Sequence, residues 1–221
     1  MDEIARNLQK IRQRIKTAAE SAGRDPDTVR LIAVSKGKTE SDVRAAIKAG
    51  HRLFGENRVQ EAKGKYELLR KICPELELHL IGPLQSNKAE EAVRLFDVIE
   101  TLDRPRLAEA LAAAIKKTGQ APRFYIEVNL GAEPQKAGIA PEELAQFLRF
   151  CRVTCGLEVE GLMCIPPKEN DAAPHFQRLR ELALQHGLVH LSMGMSDDFD
   201  SAIKCGATEV RIGTAIFGAR A

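Results

Sequence analysis

Tryptophan is absent from this chain, tyrosine occurs twice, and aromatic residues make up only 5% of it. Platforms on which nucleic-acid bases stack are therefore poorly supplied. A charge excess of one sign is lacking too. The 33 lysines and arginines face 31 acids, a formal net charge of +2, and they are interspersed rather than massed. Nucleic acid is thereby excluded as the expected partner. No apolar run reaches the roughly 18 residues that suggest a membrane span, so no membrane partner is expected either. Paired-cysteine signatures are also missing. Cys73, Cys151, Cys155, Cys164 and Cys205 are odd in number, with no C-x-x-C and no histidine cluster beside them. Cys151 and Cys155, four apart, can share a helix face without making a zinc site. The opening MDEIARNLQKIRQRI is charged throughout and has no apolar h-region. Reduced thiols in a cytoplasmic protein are the expectation.

What is present is a balanced globular composition, 44% apolar and 29% charged over 221 residues, enough for a full core under a solvated surface. No linker, repeat or low-complexity segment interrupts it, so residues 1–221 are expected to form one domain. The chain opens on a helix, with Ile4, Leu8, Ile11 and Ile15 on one stripe and Gly23 and Pro26 ending it. Strand-like runs follow at 29–35, 52–54, 76–81, 97–100, 123–129, 159–165, 189–192 and 209–216, and helical segments fill the gaps. Ser196, followed by Asp197 and Asp198, reads as an N-cap. Eight strands alternating with helices predict a (β/α)8 barrel with an extra N-terminal helix, an open doubly wound sheet being the alternative. The segment 124–129 favours closure. Phe124, Ile126 and Val128 share one face and Tyr125, Glu127 and Asn129 the other, whereas a central strand of an open sheet is more often apolar on both.

The chemistry gathers at strand ends. Lys36 ends the first strand, in parity with Ile32 and Val34, where barrels place their active sites. Its amine can form an imine if desolvation or a nearby cation, such as Lys38, lowers its pKa. An exposed loop lysine is the bland alternative. Asn57 offers an amide near the mouth, or merely a cap. His79 reads as a satisfied core histidine. After the seventh strand, Ser192 supplies a hydroxyl, and Met193 and Gly194 supply backbone N–H groups. Gly213 and Thr214 repeat the arrangement after the eighth. Barrels bind phosphate with these two loops. Arg211 lies in an apolar strand and points inward. It either makes an ion pair with Glu127 or Glu209 or faces a heterocyclic nitrogen, where it would keep its own proton. Lys136, in the loop after the fifth strand, is a second amine at the same mouth or a solvated lysine. One phosphate cradle and one strand-end amine fit a ligand with one phosphate and one aldehyde, which describes pyridoxal 5′-phosphate (PLP).

The motifs AVSKGKTE around Lys36, FGENRVQE around Asn57, HLIGPLQSNK around Ser86, and LSMGMS and VRIGTAIFG near the end occur in one order from about residue 4 to Gly218. In this the chain resembles the pyridoxal phosphate homeostasis proteins. The resemblance implies a barrel of the alanine-racemase N-terminal type, which is fold type III among PLP-binding proteins. It implies PLP held as an internal aldimine on Lys36, with Ser192, Gly213 and Thr214 at the phosphate, Arg211 at the pyridine nitrogen and Asn57 near the ring. Some members have histidine where this chain has Pro83, which leaves the cofactor reading untouched. Alanine racemases add a β-rich domain that supplies a tyrosine base and much of a dimer interface. This chain ends soon after the eighth strand, so a monomeric PLP carrier that serves PLP-dependent apo-enzymes is expected rather than an enzyme. A weak amino-acid racemase, and a cofactor-free Schiff-base aldolase acting on a sugar phosphate, are the alternatives.

Overall fold

Eight parallel strands close on themselves in chain order in the computed structural model, which describes residues 2–133, 135–167 and 171–219. They are β1 (Arg30–Val34), β2 (Leu53–Glu56), β3 (Glu77–Leu80), β4 (Val98–Leu102), β5 (Arg123–Glu127), β6 (Val159–Met163), β7 (His190–Ser192) and β8 (Glu209–Ile212). β8 returns to β1 with Arg30 opposite Glu209 and Ile32 opposite Arg211. That pairing excludes the open sheet and leaves no strand edge unpaired.

The helices are α1 (Glu3–Ser21), α2 (Glu40–Lys48), α3 (Val59–Ile72), α4 (Ala89–Leu95), α5 (Pro105–Thr118), α6 (Leu144–Arg149), α7 (Ala173–Gln185), α8 (Phe199–Lys204) and α9 (Thr214–Phe217). The chain is thus a (β/α)8 barrel preceded by an extra helix. α1 buries Leu8, Ile11, Ile15, Ala18 and Ala19 against α2, α8 and α9. Each large side chain in that stripe contributes about 1.5–3 kcal/mol by leaving water. Asn7 Nδ2 donates to Ile216 O at 3.0 Å and Arg14 pairs with Asp200 at 2.6 Å, which fixes α1 over the β8 end of the ring. α2 begins at a capping box. Thr39 Oγ1 accepts from Asp42 N at 3.2 Å, and the Asp42 carboxylate accepts from Thr39 N at 2.9 Å. The chain that leaves β1 is therefore turned back within a few residues of Lys36.

Period-two alternation divides the strands. Leu31, Ala33, Leu78, Leu80, Phe124, Ile126, Leu162, Val210 and Ile212 belong to the apolar layer under the helices. Bonds between strands that are not neighbours show what faces inward. Tyr125 on β5 donates to Glu209 on β8 at 3.0 Å, and Ser192 on β7 donates to Glu100 on β4 at 2.5 Å, so both cross the lumen. Gly161 on β6 leaves room for this packing, because a Cβ there would sit 2.7 Å from His190 Cβ and 2.9 Å from Tyr125 Cδ1.

Several expected boundaries move. The last ladder stops at Ile212, and 214–217 coils into α9 instead of extending the strand to 216. β5 ends at Glu127, with a single bridge from Val128 to Ile139 beyond it. Ser196 is not an N-cap: α8 starts three residues later, and Asp198 precedes it with its Oδ1 accepting from Met195 N at 2.6 Å.

Candidate functional site

Lys36 stands two residues beyond β1, in a partly exposed turn. Ser35 N continues the ladder to Gly55 O at 3.0 Å, and Lys38 N closes the turn on Ser35 O at 3.1 Å. α3 holds this turn from beneath. Lys65 Nζ donates to Ser35 O at 2.8 Å and to Lys38 O at 3.3 Å, and pairs with Glu56 at 2.6 Å and Glu61 at 2.9 Å. Glu61 also accepts from Gly37 N at 2.5 Å. Ser35 Oγ donates to Glu56 at 2.6 Å and lies 2.7 Å from Tyr66 Oη. Burial pushes the Glu56 carboxyl up, against the pull of Lys65 and Ser35, and burial followed by Glu56 pushes the Tyr66 phenol well up. The cation fixed beneath Lys36 is thus Lys65, not Lys38, whose amine donates to Ala219 O at 2.5 Å.

At the β7 and β8 ends the expected residues divide. Arg211 donates through one terminal nitrogen to Ser192 Oγ and through the other to Cys164 O, both at 2.8 Å. Among the described residues no carboxylate lies within ion-pair distance of it, so neither the Glu127 nor the Glu209 pair forms. The Ser192 hydroxyl is fully buried and committed to Glu100 and Arg211. It is turned into the lumen. Met193 is corrected outright: its N–H donates to Glu209 O at 3.1 Å, and its side chain is buried in the layer under the helices. Gly194 has φ +92°, and a Cβ there would lie 2.5 Å from Ala202 Cβ, so this glycine lets the turn pass against α8. The turn then presents Ser196, whose hydroxyl and N–H make no hydrogen bond among the described residues. Gly213 precedes α9, whose first donors, Thr214 N and Ala215 N, have no helical acceptor. The exposed Thr214 hydroxyl is likewise without a partner among the described residues.

Barrel register gathers these groups. Val34 pairs with Gly55 on one side, and Ala33 with Ile212 on the other. Lys36, Asn57 and the Gly213–Thr214 corner therefore top three adjacent strands, β1, β2 and β8, with Ser192 and Ser196 on and beyond the next, β7. Asn57 Oδ1 is buried and has no partner among the described residues, an orphaned acceptor at this rim. Lys136 is placed elsewhere. It follows β5, four strands from β1 in either direction, pairs with Glu133, and donates to Pro166 O at 3.3 Å.

Sequence reasoning missed the charged lumen beneath. His79 Nδ1 lies 2.6 Å from Glu100 and its Nε2 3.0 Å from Glu77. Burial works against the imidazolium, but the two carboxylates outweigh it and raise His79 to about 9. Burial raises Glu209 to about 7, with His79 opposing, and raises Glu127 to about 7, with Asp103 adding. Glu77, His79 and Glu100 sit on inward parities within otherwise apolar strands, and that pattern is the signal that would have found them.

The family model of the alanine racemase N-terminal domain matches residues 4–221. A pyridoxal phosphate homeostasis protein from Pseudomonas aeruginosa is 46% identical over 226 residues, covering 100% of this chain and 97% of that protein. The chain belongs to the pyridoxal phosphate homeostasis protein family. PipY of Synechococcus elongatus, solved with PLP bound, is 38% identical with a TM-score of 0.84, over 97% of this chain and 100% of that one. An alanine racemase from Clostridium difficile, 14% identical, has a TM-score of 0.75 over 99% of this chain and 57% of that one, a likeness of fold alone. Within the family, then, the groups described above form the rim and floor of a barrel whose backbone PipY shares. Among the described residues no group of histidine, cysteine or acid side chains is arranged to hold a metal, and no helix is long and apolar enough to cross a membrane.

Proposed function

We propose that this chain is a PLP carrier: one domain, acting as a cytoplasmic monomer, that holds the cofactor reversibly and hands it to PLP-dependent apo-enzymes. One observation carries the reading. A lysine and a set of anion donors unspent among the described residues top adjacent strands, with a guanidinium on the lumen side that has no anionic partner among those residues. The donor chemistry fits PLP. Lys36 would hold the aldehyde as an internal aldimine, with loss of water. Thr214 Oγ1 and the N–H groups of Thr214 and Ala215 beyond Gly213 receive the phosphate. Ser196 joins them in place of Met193 and of Ser192, whose hydroxyl is committed to Glu100 and Arg211. Arg211 faces the pyridine nitrogen and Asn57 lies near the ring.

A carrier is favoured over a racemase because neither tyrosine hydroxyl is at liberty to serve as a second base. Tyr66 is engaged with Ser35, and Tyr125 donates to Glu209. An arginine at the ring nitrogen also keeps its proton, which leaves the bound cofactor a weak electron sink.

Loading the purified chain with PLP is expected to give a visible imine absorption. Borohydride reduction followed by peptide mapping is expected to place the adduct on Lys36. An adduct confined to any other lysine would end that assignment. Incubation with single amino-acid enantiomers, followed by chiral chromatography, tests the racemase reading. Turnover at ordinary enzyme rates, on the order of 1–10³ s⁻¹, would overturn the carrier.

A further inference from the structure

A line of alternating charge runs through the barrel below Arg211. Ser192 has a single hydroxyl proton and spends it on Glu100 Oε2 at 2.5 Å, so toward Arg211 it can only accept. The other oxygen of Glu100 meets His79 Nδ1 at 2.6 Å, and His79 Nε2 meets Glu77 Oε1 at 3.0 Å. Glu77 in turn receives Arg123 at 2.6 Å and also pairs with Arg30. The order is guanidinium, hydroxyl, carboxylate, imidazole, carboxylate, then two guanidinium groups. Ser192, His79 and Glu100 have no exposure, and Arg211 is 4% exposed.

Burying such a line costs desolvation, and a barrel filled with apolar layers would be at least as stable. Its upper end is what an ordinary ion cluster would not contain. Among the described residues Arg211 is held by two neutral oxygens, so two of the five N–H groups of a guanidinium are spent and none is neutralised by an acid. The Ser192 oxygen faces it because Glu100 takes the Ser192 proton. Glu100 is in turn fixed by His79, and His79 by Glu77.

We propose that Ser192, Glu100 and His79 are positioning residues that aim Arg211 at the ring nitrogen of PLP and so keep that nitrogen unprotonated. The inference rests on the reading of Arg211 given above. A guanidinium does not surrender its proton, so a nitrogen held against it can only accept a hydrogen bond. If the guanidinium swings away, the nitrogen regains its ordinary basicity, and the stored cofactor becomes a stronger electron sink.

PLP labelled with ¹⁵N in the ring reads this directly, because the ¹⁵N chemical shift reports protonation across a pH series. Arg211→Gln is expected to raise the protonation midpoint of the bound ring by about one pH unit or more. Ser192→Ala and Glu100→Gln are expected to move it the same way by a smaller step. Combined with Arg211→Gln, neither should add further to the shift. Ser192→Thr, which keeps the hydroxyl, should restore the wild-type profile. Circular dichroism establishes folding, and Ser192→Ala, which removes one oxygen, decides the matter where Glu100→Gln does not fold. A midpoint moved by Arg211→Gln but left at the wild-type value by Ser192→Ala overturns the positioning role. A midpoint unmoved by Arg211→Gln overturns the Arg211 reading instead.

Discussion

Lys65 shows how a single residue can carry a site it does not enter. Its amine is shared among Glu56, Glu61 and the carbonyls of Ser35 and Lys38, so one cation closes the turn that bears Lys36. Glu56 is fully buried, and its second oxygen has no partner. Removing the cation strands that carboxylate in an apolar setting. Lys65→Met is therefore expected to cost about 3–5 kcal/mol in urea unfolding, the usual penalty for leaving a buried charge unpaired. Adding Glu56→Gln to Lys65→Met should recover part of that loss. Equal stability of Lys65→Met and wild type would show that the cluster does not hold the turn. The sequence held a sign of this residue. Val59, Ala62, Tyr66 and Leu69 form the buried stripe of α3, and Lys65 falls three after Ala62 and four before Leu69, a lysine inside an apolar face. Lys38 drew attention instead because it is near Lys36 in sequence, whereas the fold turns it toward Ala219.

Among the elements, the turn between β7 and α8 is closely packed. Gly194 passes Ala202 at a distance no Cβ tolerates and does so at positive φ. Gly194→Ala is expected to lower stability by about 1–3 kcal/mol through backbone strain and overpacking. It should also weaken PLP binding by displacing Ser196, whereas Gly64→Ala, on α3 with nothing within 4 Å of its added Cβ, should do neither. Binding unaltered in a folded Gly194→Ala would remove Ser196 from the phosphate site. The elements themselves were largely legible. All eight strands lie where apolar runs alternate with helical stripes. The misreadings have separate causes. In VRIGTAIFG the branched residues continue past Gly213, so period two and a single helical turn give the same apolar run. Ile212 and Ile216 are both buried, four apart. Ser196 followed by two acids has a cap's composition, but α8 starts only at Phe199, directly after Asp198. The strand-end residues of the site were legible because a barrel fixes where strands end. Their partners were not, because Ser192 meets Glu100 from across the ring, and 92 residues of chain separate them.

At the scale of the whole molecule, the charge buried in the lumen shapes how stability depends on pH. The His79 imidazolium faces Glu77 and Glu100, feels Glu209, and lies edge-on to Tyr125, with Arg30, Arg123 and His190 around the same floor. With its folded value raised from 6.5 to about 9, its contribution is complete below pH 6.5 and is lost as pH rises to about 9. Glu209 and Glu127 are raised from 4.5 to about 7, so the fold prefers them protonated, and they too surrender stability as pH climbs between those values. Glu77 runs the other way, held well below the usual carboxylate range by His79 and Arg30 against its burial, and its contribution is already complete above pH 4.5. From pH 6.5 to 9 the His79 term points downward, joined by Glu209 and Glu127 only up to about pH 7, while Glu77 stays level, with a slope of at most about 1.4 kcal/mol per pH unit for each titrating group. Thermal melts are therefore expected to show the midpoint falling across that window. His79→Gln should flatten the fall while lowering the starting value, since it leaves Glu100 without its imidazolium. A wild-type midpoint that holds level or climbs between pH 6.5 and 9 would mean that His79 is neutral in the fold. The line of charge beneath Arg211 would then be broken at its centre.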